Sequence, residues 1–215
     1  MSLSRHDIQG TNTDKTILLV SFGGCAMRLD GVPPFEFLST LNQWFPQYDK
    51  TFFVDIQHCW YHKGLHALST NIEETKTYLE TLFRPYQKVV IMGNSAGGYA
   101  AILFGSLLKV AHVIAFVPQT ILTRSDTDVH YRNLREFIHP TTRYHLYGDT
   151  SVSDPEDHHH ISHVENLRSF PNVTIVSKNG MSVRDMRDQG ELFPILQAVP
   201  SPSNGILNTT KIHPR

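Results

Sequence analysis

Three short stretches of this chain carry residues whose types and spacing suit chemistry. The first is Lys88 to Gly98, KVVIMGNSAGG, which sets Ser95 between Gly93 and Gly97 in a G-x-S-x-G pattern. Val89, Val90 and Ile91 lead into it, and a small-residue helix is expected from Ala96 through Leu108. A serine at such a strand-to-helix turn is forced into strained backbone geometry, and the flanking glycines leave room for the turn. Its hydroxyl then stands at the carboxyl edge of a sheet, with the first N–H groups of the helix aimed where an oxyanion would form. That is the chemistry of nucleophilic attack on a carbonyl. The plain alternative is a glycine-rich turn in which Ser95 only caps the helix.

The second stretch is the acidic loop Gly148 to Asp157, GDTSVSDPED, which runs into His158-His159-His160-Ile161-Ser162-His163. Carboxylates followed by histidines offer acid/base groups or metal ligands. His160 and His163 are spaced i, i+3 and, with Asp154 or Asp157, could hold a divalent ion. Three adjacent histidines cannot all face one metal, so exposed loop histidines are the simpler reading and no metal or other cofactor is assigned. The third stretch, QHCWYHKGLH from Gln57 to His66, is rich in aromatics and histidine. Trp60, Tyr61 and His62, together with Gln119 further on, read as substrate-binding pocket walls suited to a sugar or acyl group, with Trp60 as plain core the competing reading.

These stretches need a scaffold, and the apolar runs supply one. Thr16–Phe22, Thr51–Ile56, Val89–Ile91, Val113–Val117, Arg143–Tyr147 and Val173–Val176 read as strands, the first suited to burial on both faces. Helices are expected after Pro33-Pro34, with Phe35, Phe37, Leu38, Leu41 and Trp44 on the apolar face; over Asn71–Phe83, capped by Asn71; over Asp128–Ile138; from the His158 block through Arg168; and over Val183–Val199 with a kink at Pro194. Strand and helix alternate throughout. The expectation is therefore an α/β three-layer sandwich, a doubly wound, mostly parallel sheet of about six strands in a single domain over residues 16–199. Residues 1–15 read as a flexible N-terminus and 200–215 as a weakly ordered tail. The crossovers place Phe22, Ile56, Asn94, Val117 and Tyr147 at one edge of the sheet, where ligands bind in such folds, and His112 at the other.

Composition narrows the classes. At 215 residues the chain suits one well-filled α/β domain, and 40% hydrophobic against 18% charged residues fits a globular protein. A net charge of -1 with scattered basic residues gives no support to nucleic-acid binding. Cys25 and Cys59 sit in separate apolar segments and read as reduced thiols. A polar N-terminus and the lack of a long apolar run predict a cytoplasmic protein with no membrane span; the oligomeric state is open.

The sequence resembles an α/β-hydrolase, in particular a compact form without a cap domain. Beyond the nucleophile elbow, the phrases SFGG, PPFEF, WYHKGL, GNSAGGYAAILFG and AFVPQT resemble a group of bacterial and viral α/β-hydrolase-like proteins, some linked to surface-glycan systems. The resemblance implies that Ser95 is the nucleophile and that the Ala96 N–H is one oxyanion donor, with the second from Gly24 or Cys25 in the turn after the first strand. It implies an acid after the strand ending at Tyr147. Asp154 fits best by loop length; Asp149 lies nearer the strand end, and Asp157 is also read as a helix cap.

The chain departs from the family pattern at the histidine. The loop after the last strand, Ser177 to Ser182, contains none. Without a base, Ser95 is a poor nucleophile, so another group must take its proton. His160 or His163 is the first choice and His58 or His62 of the aromatic loop the second. The leading function is a serine esterase or acyltransferase acting on an ester of a glycan or small molecule. The rivals are a binding module of the same fold that has lost turnover with the histidine, and a metal-dependent enzyme centred on the histidine block.

Overall fold

The structure, a computed structural model, describes residues 14–25 and 35–198. The segments read as a flexible N-terminus and C-terminal tail fall almost wholly outside the described residues, as do Pro33 and Pro34.

Six strands form one sheet in the order β2-β1-β3-β4-β5-β6, and every neighbouring pair is parallel. They are β1 (Asp14–Phe22), β2 (Tyr48–Phe53), β3 (Lys88–Asn94), β4 (His112–Phe116), β5 (Arg143–Asp149) and β6 (Val173–Lys178). Apolar side chains pack on both faces. One face, with Leu18, Val20, Phe22, Val89 and Ile91, lies under α3 (Ala96–Leu107) and α2 (Ile72–Phe83). The other, with Leu19, Val90, Met92, Ile114 and Phe116, packs against α1 (Leu38–Trp44), α5 (Val183–Asp188) and α6 (Leu192–Gln197). This is the expected three-layer α/β sandwich. The strand order reverses between β1 and β3, so the crevice at their carboxyl ends is the place where such sheets bind ligands.

Several elements differ from expectation for local reasons. β2 begins at Tyr48 and stops at Phe53 rather than running to Ile56, because the buried Asp55 carboxylate accepts from the N–H groups of Gln57, Cys59 and Tyr61 and curls the chain into the aromatic loop. Over Asp128–Ile138 there is no α-helix but two 3₁₀ turns, Val129–Tyr131 and Leu134–Glu136. Asp128 and Asn133 each cap the turn that follows, and Asn133 also bridges to Ile121, which breaks the run between them. The helix expected from His158 to Arg168 shortens to α4 (Ser162–Glu165). The last helix divides into α5 and α6 at Gly190, whose φ of 77° ends the first of them. Pro194 does not kink anything. It sits in the first turn of α6, where its missing N–H has no helical acceptor to lose. Asn71 caps α2 as expected, accepting from Glu74 N–H at 2.8 Å. No helix among the described residues is long and apolar enough to cross a membrane.

Two glycines decide how closely α3 meets the sheet. A Cβ on Gly97 would lie 2.0 Å from the Phe22 carbonyl oxygen, and one on Gly93 would lie 2.1 Å from the Gly97 carbonyl oxygen. In both cases the obstruction is backbone, which cannot move aside. Gly97→Ala is expected to destabilise the fold by roughly 1–3 kcal/mol or more, measured by chemical denaturation, whereas Gly180→Ala, with no atom near its Cβ position, should bear only the cost of its positive φ.

Candidate active site

Ser95 follows β3 and immediately precedes α3, with φ 53° and ψ -118°. A non-glycine residue there stores strain of order 1–3 kcal/mol. It is held in place by its own N–H donating to the Phe116 carbonyl at 2.9 Å and by its carbonyl accepting from Tyr99 N–H at 3.0 Å. The side chain is almost buried. Ala96 opens α3, so its N–H has no intrahelical acceptor. The turn after β1 lies alongside: a Cβ on Gly24 would come within 3.5 Å of Ser95 Cβ. Gly24 thus borders Ser95.

The histidine that reaches Ser95 is His159. Its Nε2 lies 2.8 Å from Ser95 Oγ. Asp157 brings it there, because the Asp157 carboxylate accepts from the His159 backbone N–H at 2.7 Å, an Asx turn that reverses the chain ahead of α4. Burial lowers the His159 pKa, and the attraction of Asp157 and then Asp149 only partly opposes it. The imidazole is therefore neutral at pH 7 and able to accept a proton.

The three adjacent histidines face three different partners. His158 meets the Trp60 ring edge-on, with centroids 6.1 Å apart. His160, a first choice as base, is partly buried and turns back on Ser162, its Nδ1 2.9 Å from the Ser162 hydroxyl and 3.2 Å from the Ser162 backbone nitrogen. His163, the other first choice, fastens α4 to the segment after β4: its Nδ1 accepts from Thr120 N–H at 3.3 Å and its carbonyl from Thr120 Oγ1 at 2.6 Å. Neither holds a hydrogen bond to Ser95. Among the described residues no group of three or more His, Cys, Asp or Glu side chains is placed to hold an ion.

The acids rearrange similarly. Asp154 is exposed and acts as a turn residue, its carboxylate accepting from the Glu156 N–H at 3.0 Å and its carbonyl from the Asp157 N–H at 3.1 Å. Asp149, at the end of β5, is buried and accepts four hydrogen bonds: from Ser151 N–H and Oγ, Gly180 N–H and Met181 N–H, at 2.7–2.9 Å. Burial pushes its pKa up, but these donors outweigh it and hold the carboxyl below its usual range. Asp149 is thus the clamp that draws the histidine-free loop after β6 onto β5.

The aromatic loop goes inward. Tyr61 is fully buried, its hydroxyl donating to the carbonyls of Gly23 at 2.8 Å and Phe53 at 3.3 Å. His62 has both ring nitrogens occupied, Nδ1 by Asp128 N–H at 3.0 Å and Nε2 by Tyr99 OH at 2.9 Å. Gln119, 2% exposed, accepts from the Trp60 indole N–H. Arg124 covers the Trp60 ring at 4.3 Å. Trp60, Tyr61, His62 and Gln119, the four residues read as pocket walls, are all buried. A cleft of about 620 Å³ has His159 in its lining, together with Phe35, Glu36, Phe37, Asn94, Asp149 and Met181 among others. It is built from the segment before α1 and the loop after β6, neither of which carries a sequence signal for binding. Asp157 is a residue type that favours an Asx turn, but no feature of the sequence separates His159 from His158 or His160.

Comparison with known proteins places the architecture. No protein-family model matches the chain, and no curated protein sequence matches it. Solved structures do. The capsule O-acetyltransferase of Neisseria meningitidis serogroup A superposes with a TM-score of 0.61 over 88% of this chain and 88% of its own, at 13% identity. An alpha/beta hydrolase enzyme from the metagenome of sediments of the Mar Chica lagoon, Morocco, superposes with a TM-score of 0.55 over 87% and 90%, at 16% identity. This chain has the α/β-hydrolase-like fold. A Glycosylation Associate Protein complex from Streptococcus agalactiae contains a similar unit, matched over 85% of this chain and 41% of that one with a TM-score of 0.56 and 14% identity. In this α/β-hydrolase-like chain the elbow and the strand order follow the fold, while the loop after β6 holds Met181 instead of a histidine.

His62 gives this fold an acid-sensitive joint. Burial drives its pKa down to about 4 against the attraction of Asp128 and Asp126. The unfolded chain therefore takes up a proton near pH 6.5 that the folded chain refuses until about pH 4. Stability contributed by neutral His62 is complete above pH 6.5 and declines as pH falls toward 4, by at most about 1.4 kcal/mol per pH unit. Denaturant melts of the wild type and His62→Gln between pH 7 and 4 should show a shallower decline in the variant.

Proposed function

We propose that this chain acts on esters, as a hydrolase or acyltransferase, through a Ser95–His159 pair. The observation that carries the reading is the 2.8 Å contact between Ser95 Oγ, at a strained strand-to-helix turn, and a partly buried neutral imidazole. Ser95 Oγ attacks the ester carbonyl carbon while its proton passes to His159 Nε2. The carbonyl oxygen, now anionic, sits between the Ala96 N–H and an N–H of the Gly24-Cys25 turn. Collapse of the tetrahedral species breaks the bond to the alcohol, which leaves with the proton from His159. Water or a second hydroxyl then attacks the acyl group on Ser95, returning its proton through His159; the choice between them separates hydrolysis from transfer. No resident cofactor is needed.

Asp149 is engaged by the loop after β6 and Asp157 acts through the His159 backbone. The unit is accordingly a dyad whose histidine comes from the loop after β5 rather than from the loop after β6. The cleft beside His159, with phenylalanines and a row of polar groups, suits an ester of a sugar or other small polyol, and the structural likeness to an O-acetyltransferase points the same way. The rival reading, a binding module without turnover, draws on Met181 standing in the loop where the family pattern has its histidine.

A fluorophosphonate probe should label Ser95 in the folded protein, and Ser95→Ala should abolish labelling. His159→Ala should lower the labelling rate and any esterase kcat by about 10²–10⁴-fold, while His160→Ala leaves both unchanged. Because His159 must be unprotonated, and its pKa is lowered, the rate should persist to a more acidic pH than an ordinary histidine allows. Intact, folded wild type that resists the probe would favour the binding module.

A further inference from the structure

Glu36, within the phrase PPFEF, has no part in the dyad, yet it stands against both halves of the site. Its backbone carbonyl accepts from Ser21 Oγ at 2.8 Å, which pins the segment before α1 to the end of β1. Its side-chain Oε1 accepts from Asn94 Nδ2 at 3.2 Å, and Asn94 is the residue before Ser95. The same oxygen lies 3.6 Å from where a Cβ on Gly24 would be, a position itself 3.5 Å from Ser95 Cβ. The carboxyl therefore connects the turn after β1 to the elbow, the two pieces of backbone that must keep their spacing if an oxyanion is to be held between them. Its other oxygen, Oε2, is buried without a hydrogen-bond partner among the described residues.

An ionised carboxylate fits that position badly. It would leave a charged oxygen buried and unpaired, and it would set a negative charge beside the point where the oxyanion develops. A neutral acid keeps the Asn94 bond, removes the charge from beside the oxyanion and leaves only an uncharged oxygen unpaired, a smaller cost. We propose that Glu36 is the positioning residue of the oxyanion hole, bridging Asn94 and the Gly24 turn in its protonated form. This deepens the ester-acting reading and rests on it. Burial raises the Glu36 pKa, and hydrogen bonds from Asn94 and Gly24 only partly oppose it. Among the described residues, the ionisable groups around the cleft that Glu36 lines are Asp149 on β5, His159 on the following loop, and Arg184, Asp185 and Arg187 on α5; Tyr61 packs behind the turn.

The test compares wild type, Glu36→Gln and Glu36→Leu with p-nitrophenyl acetate across pH, after circular dichroism has verified the fold. Glu36→Gln should hold kcat within about threefold and Glu36→Leu should lose at least about tenfold in kcat with KM little changed, a milder effect than loss of a donor itself. Wild-type kcat should fall on the alkaline side as Glu36 ionises, and Glu36→Gln should lack that fall. A Glu36→Leu protein with wild-type kcat, a Glu36→Gln protein as impaired as Glu36→Leu, or an alkaline fall shared by wild type and Glu36→Gln would each overturn the proposal. If Glu36→Leu does not fold, the comparison of wild type with Glu36→Gln decides. Failure of wild-type turnover and probe labelling would instead count against the ester-acting reading. Glu36 is then judged by carboxyl ¹³C NMR, its signal identified by loss in Glu36→Gln: titration above the ordinary glutamate range supports the bridge, and titration within or below it overturns it.

Discussion

The contact on which the site depends is backbone on backbone. α3 starts so close to the end of β1 that Gly97 has no space for a side chain against the Phe22 carbonyl, and Gly93 none against Gly97. That approach brings the turn after β1 beside Ser95, since Gly24 directly follows Phe22 and Gly23. It also requires a sharp reversal between β3 and α3, which Ser95 absorbs in its positive φ. Local strain and close packing are thus one feature. Hydrogen bonds from Ser95 to Phe116 and from Tyr99 to Ser95 hold the strained residue against relaxation.

Around that contact, polar side chains are distributed by which backbone groups need them. Asp55 gathers three N–H groups of the aromatic loop, Asp157 gathers the His159 N–H, and Asp149 gathers those of Ser151, Gly180 and Met181. Each carboxylate folds a loop that a strand or helix cannot. The loops so folded border the carboxyl edge of the sheet, where His159 meets Ser95 and the cleft opens. Cys25 and Cys59 lie near Asp55 as free thiols, and burial pushes Cys25 up to about 12, so it remains protonated.

Residue patterns made much of this legible in advance. The six strands, the parallel sandwich, the Asn71 cap and the placement of Ser95 between strand and helix follow from apolar runs, β-branched residues and glycine spacing, which act over a few residues. Boundaries shifted where a side chain captured nearby backbone, as Asp55 does in ending β2 and Asn133 in dividing the 3₁₀ turns. Gly190 likewise divided what read as one C-terminal helix.

The sequence by itself determined the scaffold, the strained serine and the absence of histidine after the last strand. Only the tertiary structure decided which histidine lies against Ser95. His158, His159 and His160 are chemically identical neighbours, and their difference lies in the direction each side chain leaves an Asx turn docked on β5. Tertiary packing also decided that Tyr61 and His62 belong to the interior, and that Asp149, nearer the strand end than Asp154, clamps a loop. Such choices depend on where distant segments meet. Residue type and spacing therefore name the candidates, and the packed chain selects among them.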